Sequence, residues 1–206
     1  DAAFEKADVI VERTYSVPMC HQGYIEPHAC VAQVDAADRV ELWCSTQGHF
    51  TVRQYTAAVT GIGLGKIRVT PSEIGGGFGG KTTVYLEPIA VLLAKKSGRP
   101  VKMVMDRGDV FRATGPAPGA ETRVKLGATK DGRLVAADVD CLMDSGAYNG
   151  NPAGIPAFMA TACYKFSDAR SSGRSVYTNK PKIHAYRAPS MPQVTLAFEL
   201  VMNEVA

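Results

Sequence analysis

Hydrophobic and polar residues alternate along several short segments of this chain, as they do in strands with one buried face. Together with a high content of β-branched residues, the alternation predicts strands at Val9 to Val17, Cys30 to Val34, Val40 to Cys44, Ile67 to Thr70, Val101 to Met105, Thr122 to Ala128 and Leu134 to Met143. The last two segments flank Lys130-Asp131-Gly132, and an Asp-Gly pair commonly joins antiparallel strands. We therefore expect these two strands to form a hairpin.

Apolar residues at helical spacing predict helices in other segments. The predicted helices are His49 to Val59, Thr83 to Lys96, Ala157 to Cys163 and Pro192 to Ala206, with a short helical turn near Asp106 to Arg112. The first is expected to end at Gly61, with Thr46 in its capping region. Strands and helices in this order predict a mixed α+β fold. The loop at Gly115 to Gly119 is rich in glycine and proline and predicts a seam between two lobes near residues 113–120.

Charge and cysteine content narrow the classes of protein to consider. The net charge of +3 comes from 23 basic and 20 acidic residues without a run of like charge, so no nucleic-acid or membrane partner is predicted. The five cysteines are scattered and include no C-x-x-C pair, so an iron–sulfur cluster is not expected on this chain. Scattered cysteines suit a reducing compartment, and a cytoplasmic location is predicted.

The densest motif is Gly75-Gly76-Gly77-Phe78-Gly79-Gly80-Lys81-Thr82, with five glycines in its first six positions. Without Cβ atoms the backbone can adopt positive φ and turn its N–H groups toward an anion or an oxo group. The segment also satisfies the G-x-x-x-x-G-K-T spacing of a phosphate loop, so a nucleotide-hydrolysing enzyme is one alternative. Against this alternative, the preceding strand continues into polar residues, and Phe78 is an apolar ring unsuited to hydrated phosphates.

Four segments in this order resemble one family, the molybdenum-cofactor-binding large subunits of the xanthine dehydrogenase, aldehyde oxidase and carbon monoxide dehydrogenase superfamily. The segments are Gln22-Gly23-Tyr24-Ile25-Glu26-Pro27-His28, Trp43-Cys44-Ser45-Thr46-Gln47, Gly75 to Lys81 and Ala185-Tyr186-Arg187-Ala188-Pro189-Ser190-Met191-Pro192-Gln193. With shorter matches between them, the resemblance extends over nearly the whole chain. It implies a partial molybdopterin-binding domain over residues 1–206, with mixed sheets, packed helices and two lobes.

The resemblance also implies an activity and its cofactors. Enzymes of this family hydroxylate a carbon with oxygen from water, and an aldehyde, N-heterocycle or aryl-CoA substrate is expected here. The implied cofactor is molybdenum–molybdopterin, with its cytosine dinucleotide form as a candidate, and the implied partners are an iron–sulfur subunit and an FAD subunit in a hetero-oligomer. The residues that match cofactor-binding positions are Gln47, Gly77, Phe78, Gly79 and Gly80. Arg187 matches a substrate-binding position, and no side chain is expected to ligate the metal directly.

Three departures from the family pattern limit what is expected. Thr82 stands where xanthine dehydrogenases carry a purine-binding glutamate, and Ala188 stands where carbon monoxide dehydrogenases carry a copper-linking cysteine. Purines and a copper-bridged centre are therefore not expected. The Gly-x-Gly-Glu setting of the family's catalytic base is absent, so no catalytic residue is predicted and the isolated chain is expected to be inactive. A non-catalytic assembly module, in which the glycine loop only packs a helix on a strand, is a further alternative.

Overall fold

The computed structural model describes residues 2–206, which divide into two units. The inserted unit comprises residues 21–115, and the flanking unit comprises residues 2–20 and 116–206. In chain order the strands are β1 (Val9–Val17), β2 (Ala29–Val34), β3 (Val40–Cys44), β4 (Ile67–Pro71), β5 (Val101–Val104), β6 (Ala120–Ala128), β7 (Leu134–Asp144) and β8 (Asp168–Val176). The α-helices are α1 (His49–Thr60), α2 (Glu87–Ser97), α3 (Arg107–Ala113), α4 (Gly154–Met159) and α5 (Met191–Val205).

The inserted unit contains a four-stranded mixed sheet in the order β4-β3-β2-β5. Strand β3 is parallel to β4 and antiparallel to β2, and β2 is antiparallel to β5. Helices α1 and α2 bury Val52, Ala90 and Val91 in a core with Ala32 and Leu42 of the sheet. Because β3 and β4 are parallel, the segments that follow both strands leave from the same edge of the sheet.

The flanking unit contains the second mixed sheet, in the order β1-β6-β7-β8. Strands β1, β6 and β7 are antiparallel neighbours, and β8 is parallel to β7. Helix α5 buries Val194 and Phe198 in the core beside Val124 and Val139 of the sheet. The hairpin predicted around Asp131-Gly132 is confirmed, and Gly132 has a positive φ of 82°.

The predicted mixed fold and most strand positions are confirmed, whereas several helix bounds were wrong. Helix α2 begins at Glu87 and not at Thr83, and Pro88 occupies its first turn, where a missing N–H costs little. Helix α4 spans Gly154–Met159, so it begins and ends earlier than the predicted Ala157 to Cys163 and overlaps it at residues 157–159. The N-cap of α1 is Gly48, and Thr46, which was expected in the capping region, accepts a hydrogen bond from the Gly48 N–H at 3.0 Å.

Strand β8 was not predicted from the sequence. Its residues are mostly exposed and include Asp168, Arg170 and Arg174, so it has no apolar alternation to detect. Of the five cysteines, Cys30, Cys44 and Cys141 are buried, whereas Cys20 and Cys163 are exposed. No helix within residues 2–206 has the length and apolar character needed to cross a membrane.

Candidate functional site

The glycine loop lies between β4 and α2, and its tip is a tight turn. The Gly80 N–H donates to the Gly77 carbonyl at 2.7 Å, which closes a four-residue turn. Its two central residues both have positive φ, 50° at Phe78 and 98° at Gly79, as in a type I′ turn. A bulky residue in this conformation costs about 1–3 kcal/mol and persists only where its surroundings hold it. The Phe78 ring is nearly half exposed at this tip.

Side chains from residues 22–26 form the bed on which the loop rests. Alternate residues of this segment contact the loop, whereas Ile25 between them is 88% exposed. A Cβ added to Gly75 would lie 2.7 Å from Glu26 Cβ, and one added to Gly80 would lie 2.8 Å from Tyr24 Cε1. These two glycines are required because the bed approaches the backbone more closely than a side chain permits.

Gln47 is the second support of the loop. It follows β3, where its own N–H donates to the Lys81 carbonyl at 2.8 Å. Its side-chain Oε1 accepts hydrogen bonds from the N–H groups of Gly79 at 2.8 Å and Lys81 at 3.3 Å. Both neighbours are donors, so the amide oxygen must face the loop and the NH₂ group must face away. No acceptor for that NH₂ group is present among residues 2–206.

The Phe78 N–H is a second donor of the same assembly. It makes no hydrogen bond to any acceptor in residues 2–206, although the amides of Gly79 and Gly80 on its C-terminal side are both bonded. The structure thus brings together Gln47, Gly77, Phe78, Gly79 and Gly80, which were predicted as one site. Together they present a side-chain amide and a backbone amide as hydrogen-bond donors.

Lys81 lies beneath the loop, where a phosphate could not reach it. Its side chain is fully buried, and its ammonium group forms an ion pair with Glu26 at 2.6 Å. The ammonium also lies 5.1 Å from the centre of the Tyr24 ring. Helix α2 begins only at Glu87, whereas a phosphate loop leads directly into its helix. The phosphate-loop interpretation of this segment is therefore not supported.

This pairing favours the charged form of Glu26. Its partial burial acts to raise the pKa, but hydrogen bonds from Lys81 and the Gly75 N–H, with the charge of Lys81, outweigh burial and hold the pKa below its ordinary value. The sequence analysis gave Lys81 a role only in the alternative phosphate-loop interpretation and gave Glu26 no partner, and so missed their pairing. The alternation of inward residues at positions 22, 24 and 26 is the signal that could have indicated it.

Tyr24 extends the bed into a buried polar chain. Its hydroxyl lies 2.7 Å from His28 Nε2 and 3.3 Å from Thr114 Oγ1. Burial raises the pKa of Tyr24, although its hydrogen bond to Thr114 and the charge of Arg107 oppose the increase. A neutral phenol with a defined partner on each side fixes the position of the ring that contacts Gly80.

Arg187 belongs to the flanking unit, where it immediately precedes α5. Its φ is 23°, and Ala188 and Ser190 also have positive φ values of 56° and 63°. Three non-glycine residues with positive φ so close together indicate a strained segment. Arg187 lines a cavity of about 420 Å³ whose other walls include Val17, Pro18 and Leu196. A guanidinium group at an apolar cavity can orient a ligand that carries a carbonyl or carboxylate group.

Comparisons with known proteins show the family to which this chain belongs. A family model described as the molybdopterin cofactor-binding domain matches residues 1–206. The nicotinate dehydrogenase large molybdopterin subunit of Eubacterium barkeri is 33% identical over 209 residues, covering 100% of this chain and 49% of that protein. The chain therefore spans about half the length of that relative.

Two solved structures have nearly the same fold. Quinoline 2-oxidoreductase from Pseudomonas putida 86 matches with a TM-score of 0.91 and 28% identity, covering 100% of this chain and 27% of that one. The aldehyde oxidoreductase from Desulfovibrio gigas matches with a TM-score of 0.90 and 26% identity, covering 100% and 23%. With the family model matching its full length, this chain belongs to the family of molybdopterin cofactor-binding domains.

Proposed function

We propose that this chain holds the molybdenum–molybdopterin cofactor of a hydroxylase through Gln47, Gly77, Phe78, Gly79 and Gly80. The observation that carries the proposal is the locked orientation of Gln47. Because loop amides occupy its Oε1, its NH₂ group is left to donate, as is the Phe78 N–H. Two neutral donors fit an oxo-bearing centre, which accepts hydrogen bonds, and would not fit a cationic ligand.

When bound, the cofactor supplies the two-electron oxidant for hydroxylation of a carbon with oxygen from water. The protein residues have a different task. Gln47 and the Phe78 N–H orient the group without ligating it, and the exposed Phe78 ring covers it with an apolar surface. Where water is excluded, donors aimed at a developing negative charge have a larger effect than in bulk solvent.

We further propose that the substrate is a small N-heterocycle, aldehyde or aryl-CoA thioester, with Arg187 as a substrate-binding residue. The guanidinium of Arg187 beside apolar cavity walls suits a planar ring that bears a carbonyl or carboxylate. The relatives named for nicotinate and quinoline favour N-heterocycles within this set.

The complete enzyme would need components beyond these residues. We propose an iron–sulfur subunit and an FAD subunit as electron carriers, assembled with this chain in a cytoplasmic hetero-oligomer. The cytosine dinucleotide form of molybdopterin is our candidate for the bound cofactor. The similarity to chains of carbon monoxide dehydrogenase supports assembly within a larger enzyme.

The test is to purify the complete protein from cells that make the cofactor and to measure molybdenum and released pterin per polypeptide. Near-stoichiometric amounts of both are expected. A cofactor-competent preparation that contains neither would contradict the proposal. Turnover of nicotinate, quinoline and benzaldehyde by the same preparation would then distinguish the substrate classes.

A further inference from the structure

Glu26 is bonded to both ends of the glycine loop. Its Oε2 accepts a hydrogen bond from the Gly75 N–H at 2.8 Å and forms the ion pair with Lys81 Nζ at 2.6 Å. The Glu26 N–H donates in turn to the Gly75 carbonyl at 3.1 Å. One residue of the bed therefore ties the first residue of the loop to the residue that follows its last glycine.

The ammonium group of Lys81 is buried and has all its contacts with residues of the inserted unit. Besides Glu26, it lies 3.5 Å from the Pro27 carbonyl and rests over the Tyr24 ring. Its side chain has no exposed surface, so it is not available to a ligand at the loop tip. Burial of an ammonium group is tolerated because the carboxylate and the carbonyl replace its hydration.

Few other hydrogen bonds hold the strained tip of the loop, although the side chains of Gln22 and Tyr24 pack against it. Apart from the turn at Gly77 and Gly80, the hydrogen bonds found there among residues 2–206 are those of Gln47 and one from Thr82 Oγ1 to the Gly79 carbonyl at 2.9 Å. The positive φ of Phe78 must be imposed from outside the turn. An anchor at both ends of a seven-residue segment is suited to impose it.

We propose that Glu26 and Lys81 are positioning residues, whose ion pair fixes the loop ends and so holds the Phe78 N–H in its donating orientation. The inference rests on the proposed function, because it assigns to the pair a role toward the same cofactor. It also gives the lysine of the Gly-Gly-Lys motif a structural partner in place of a phosphate.

Amide hydrogen exchange on this chain tests the anchor directly. The hydrogen-bonded amides of Gly75, Gly79, Gly80 and Lys81 are the reporters. In Glu26→Gln and Lys81→Met they are expected to exchange roughly tenfold faster or more, because one buried partner of an ion pair is left alone. Lys81→Arg, which keeps the charge, is expected to restore part of the protection.

The matched control is Lys95→Met, which removes a lysine paired with Asp38 at 2.9 Å on the exposed surface. It is expected to leave exchange in the loop unchanged. Amides of β2 and β3 report on the sheet, and they are expected to be unaffected in Glu26→Gln. Equal acceleration of loop and sheet, or loop exchange at the level of the control, would overturn the positioning role.

Molybdenum content of the complete protein separates this inference from the proposed function. If the pair positions the loop for the cofactor, Glu26→Gln retains less molybdenum than Lys95→Met. Loss of molybdenum in Gln47→Ala with unchanged loop exchange in Glu26→Gln would contradict the positioning role alone. Faster loop exchange with full molybdenum in both Glu26→Gln and Gln47→Ala would contradict the proposed function.

Discussion

At the scale of single residues, the candidate site depends on glycines, which have no side chain, as well as on the side chains around them. The Gln47 amide and the backbone of Gly77 approach so closely that a Cβ on Gly77 would lie 2.6 Å from Gln47 Oε1. At Phe78, in contrast, a bulky side chain is present where glycine would be favoured. Its φ is strained, and its ring and N–H lie at the tip of the loop. Gln47 can therefore keep its orientation only because Gly77 has no Cβ.

We expect Gly77→Ala to lower the free energy of unfolding by about 1–3 kcal/mol, because the added methyl group displaces the Gln47 side chain from two hydrogen bonds. Urea denaturation of this chain measures the effect. Gly65→Ala is the matched control, since a Cβ there meets nothing within 4 Å and φ is not in the left-handed region. Equal stabilities of the two variants would show that Gly77 is not a close contact.

At the scale of secondary-structure elements, two helices of the inserted unit begin with acidic residues that accept backbone hydrogen bonds. Helix α3 begins with a capping box, in which Asp106 accepts from the Asp109 N–H at 2.6 Å and Asp109 accepts from the Asp106 N–H at 3.3 Å. Helix α2 begins with a buried glutamate, Glu87, which accepts from the Tyr85 N–H at 2.8 Å. Asp106 satisfies a backbone donor that a helix leaves unpaired, and Glu87 satisfies the N–H of a residue just before its helix.

Asp106→Ala is expected to lower the free energy of unfolding by about 0.5–2 kcal/mol, since it removes an N-cap acceptor. Asp106→Asn keeps an acceptor oxygen and is expected to cost only a few tenths. Thermal or urea unfolding of the two variants in parallel checks this order. Equal losses would mean that the charge of Asp106 matters and its cap does not.

Glu87 is expected to make the stability of the chain depend on pH with a sign opposite to that of most carboxylates. Burial raises its pKa, although hydrogen bonds from the N–H groups of Tyr85, Glu87 and Leu86 oppose the increase. Folding therefore favours the protonated form of Glu87. The contribution of this carboxyl group to the free energy of unfolding is complete below the unfolded pKa of about 4.3 and is lost as pH rises through the folded pKa.

Glu87→Gln removes the charge and keeps an acceptor for Tyr85, so we expect it to stabilise the chain at pH 8 relative to the wild type. The difference is expected to shrink toward pH 4.5, where the wild-type carboxyl approaches its protonated state. Urea unfolding at both pH values measures it. A difference that grows toward low pH would contradict the assignment.

How far the sequence predicts these elements follows from their burial. Strands β1 and β3 were predicted at their observed bounds because part of each alternates toward a core. Strand β8 and the start of α2 were missed because neither has a periodic apolar signal. The members of the site were predicted from resemblance, but the burial of Lys81 against Glu26 depends on a contact 55 residues apart along the chain.

At the scale of the whole molecule, the residues proposed for cofactor binding and for substrate binding lie in different units. The loop, its bed and Gln47 all lie in the inserted unit, and Arg187 lies in the flanking unit. The chain spans half or less of the length of the matched nicotinate dehydrogenase subunit, quinoline oxidoreductase and aldehyde oxidoreductase. The activity proposed here is that of such an enzyme.

The most direct test of the central claim is the molybdenum content of Gln47→Ala in the complete protein, purified in parallel with Gln33→Ala. Gln33 is an exposed residue of β2 and serves as the control. Loss of the donating amide is expected to remove most of the molybdenum, since supporting hydrogen bonds change metal affinity by roughly 10–100-fold. Full molybdenum content in Gln47→Ala, equal to that of Gln33→Ala, would contradict the account.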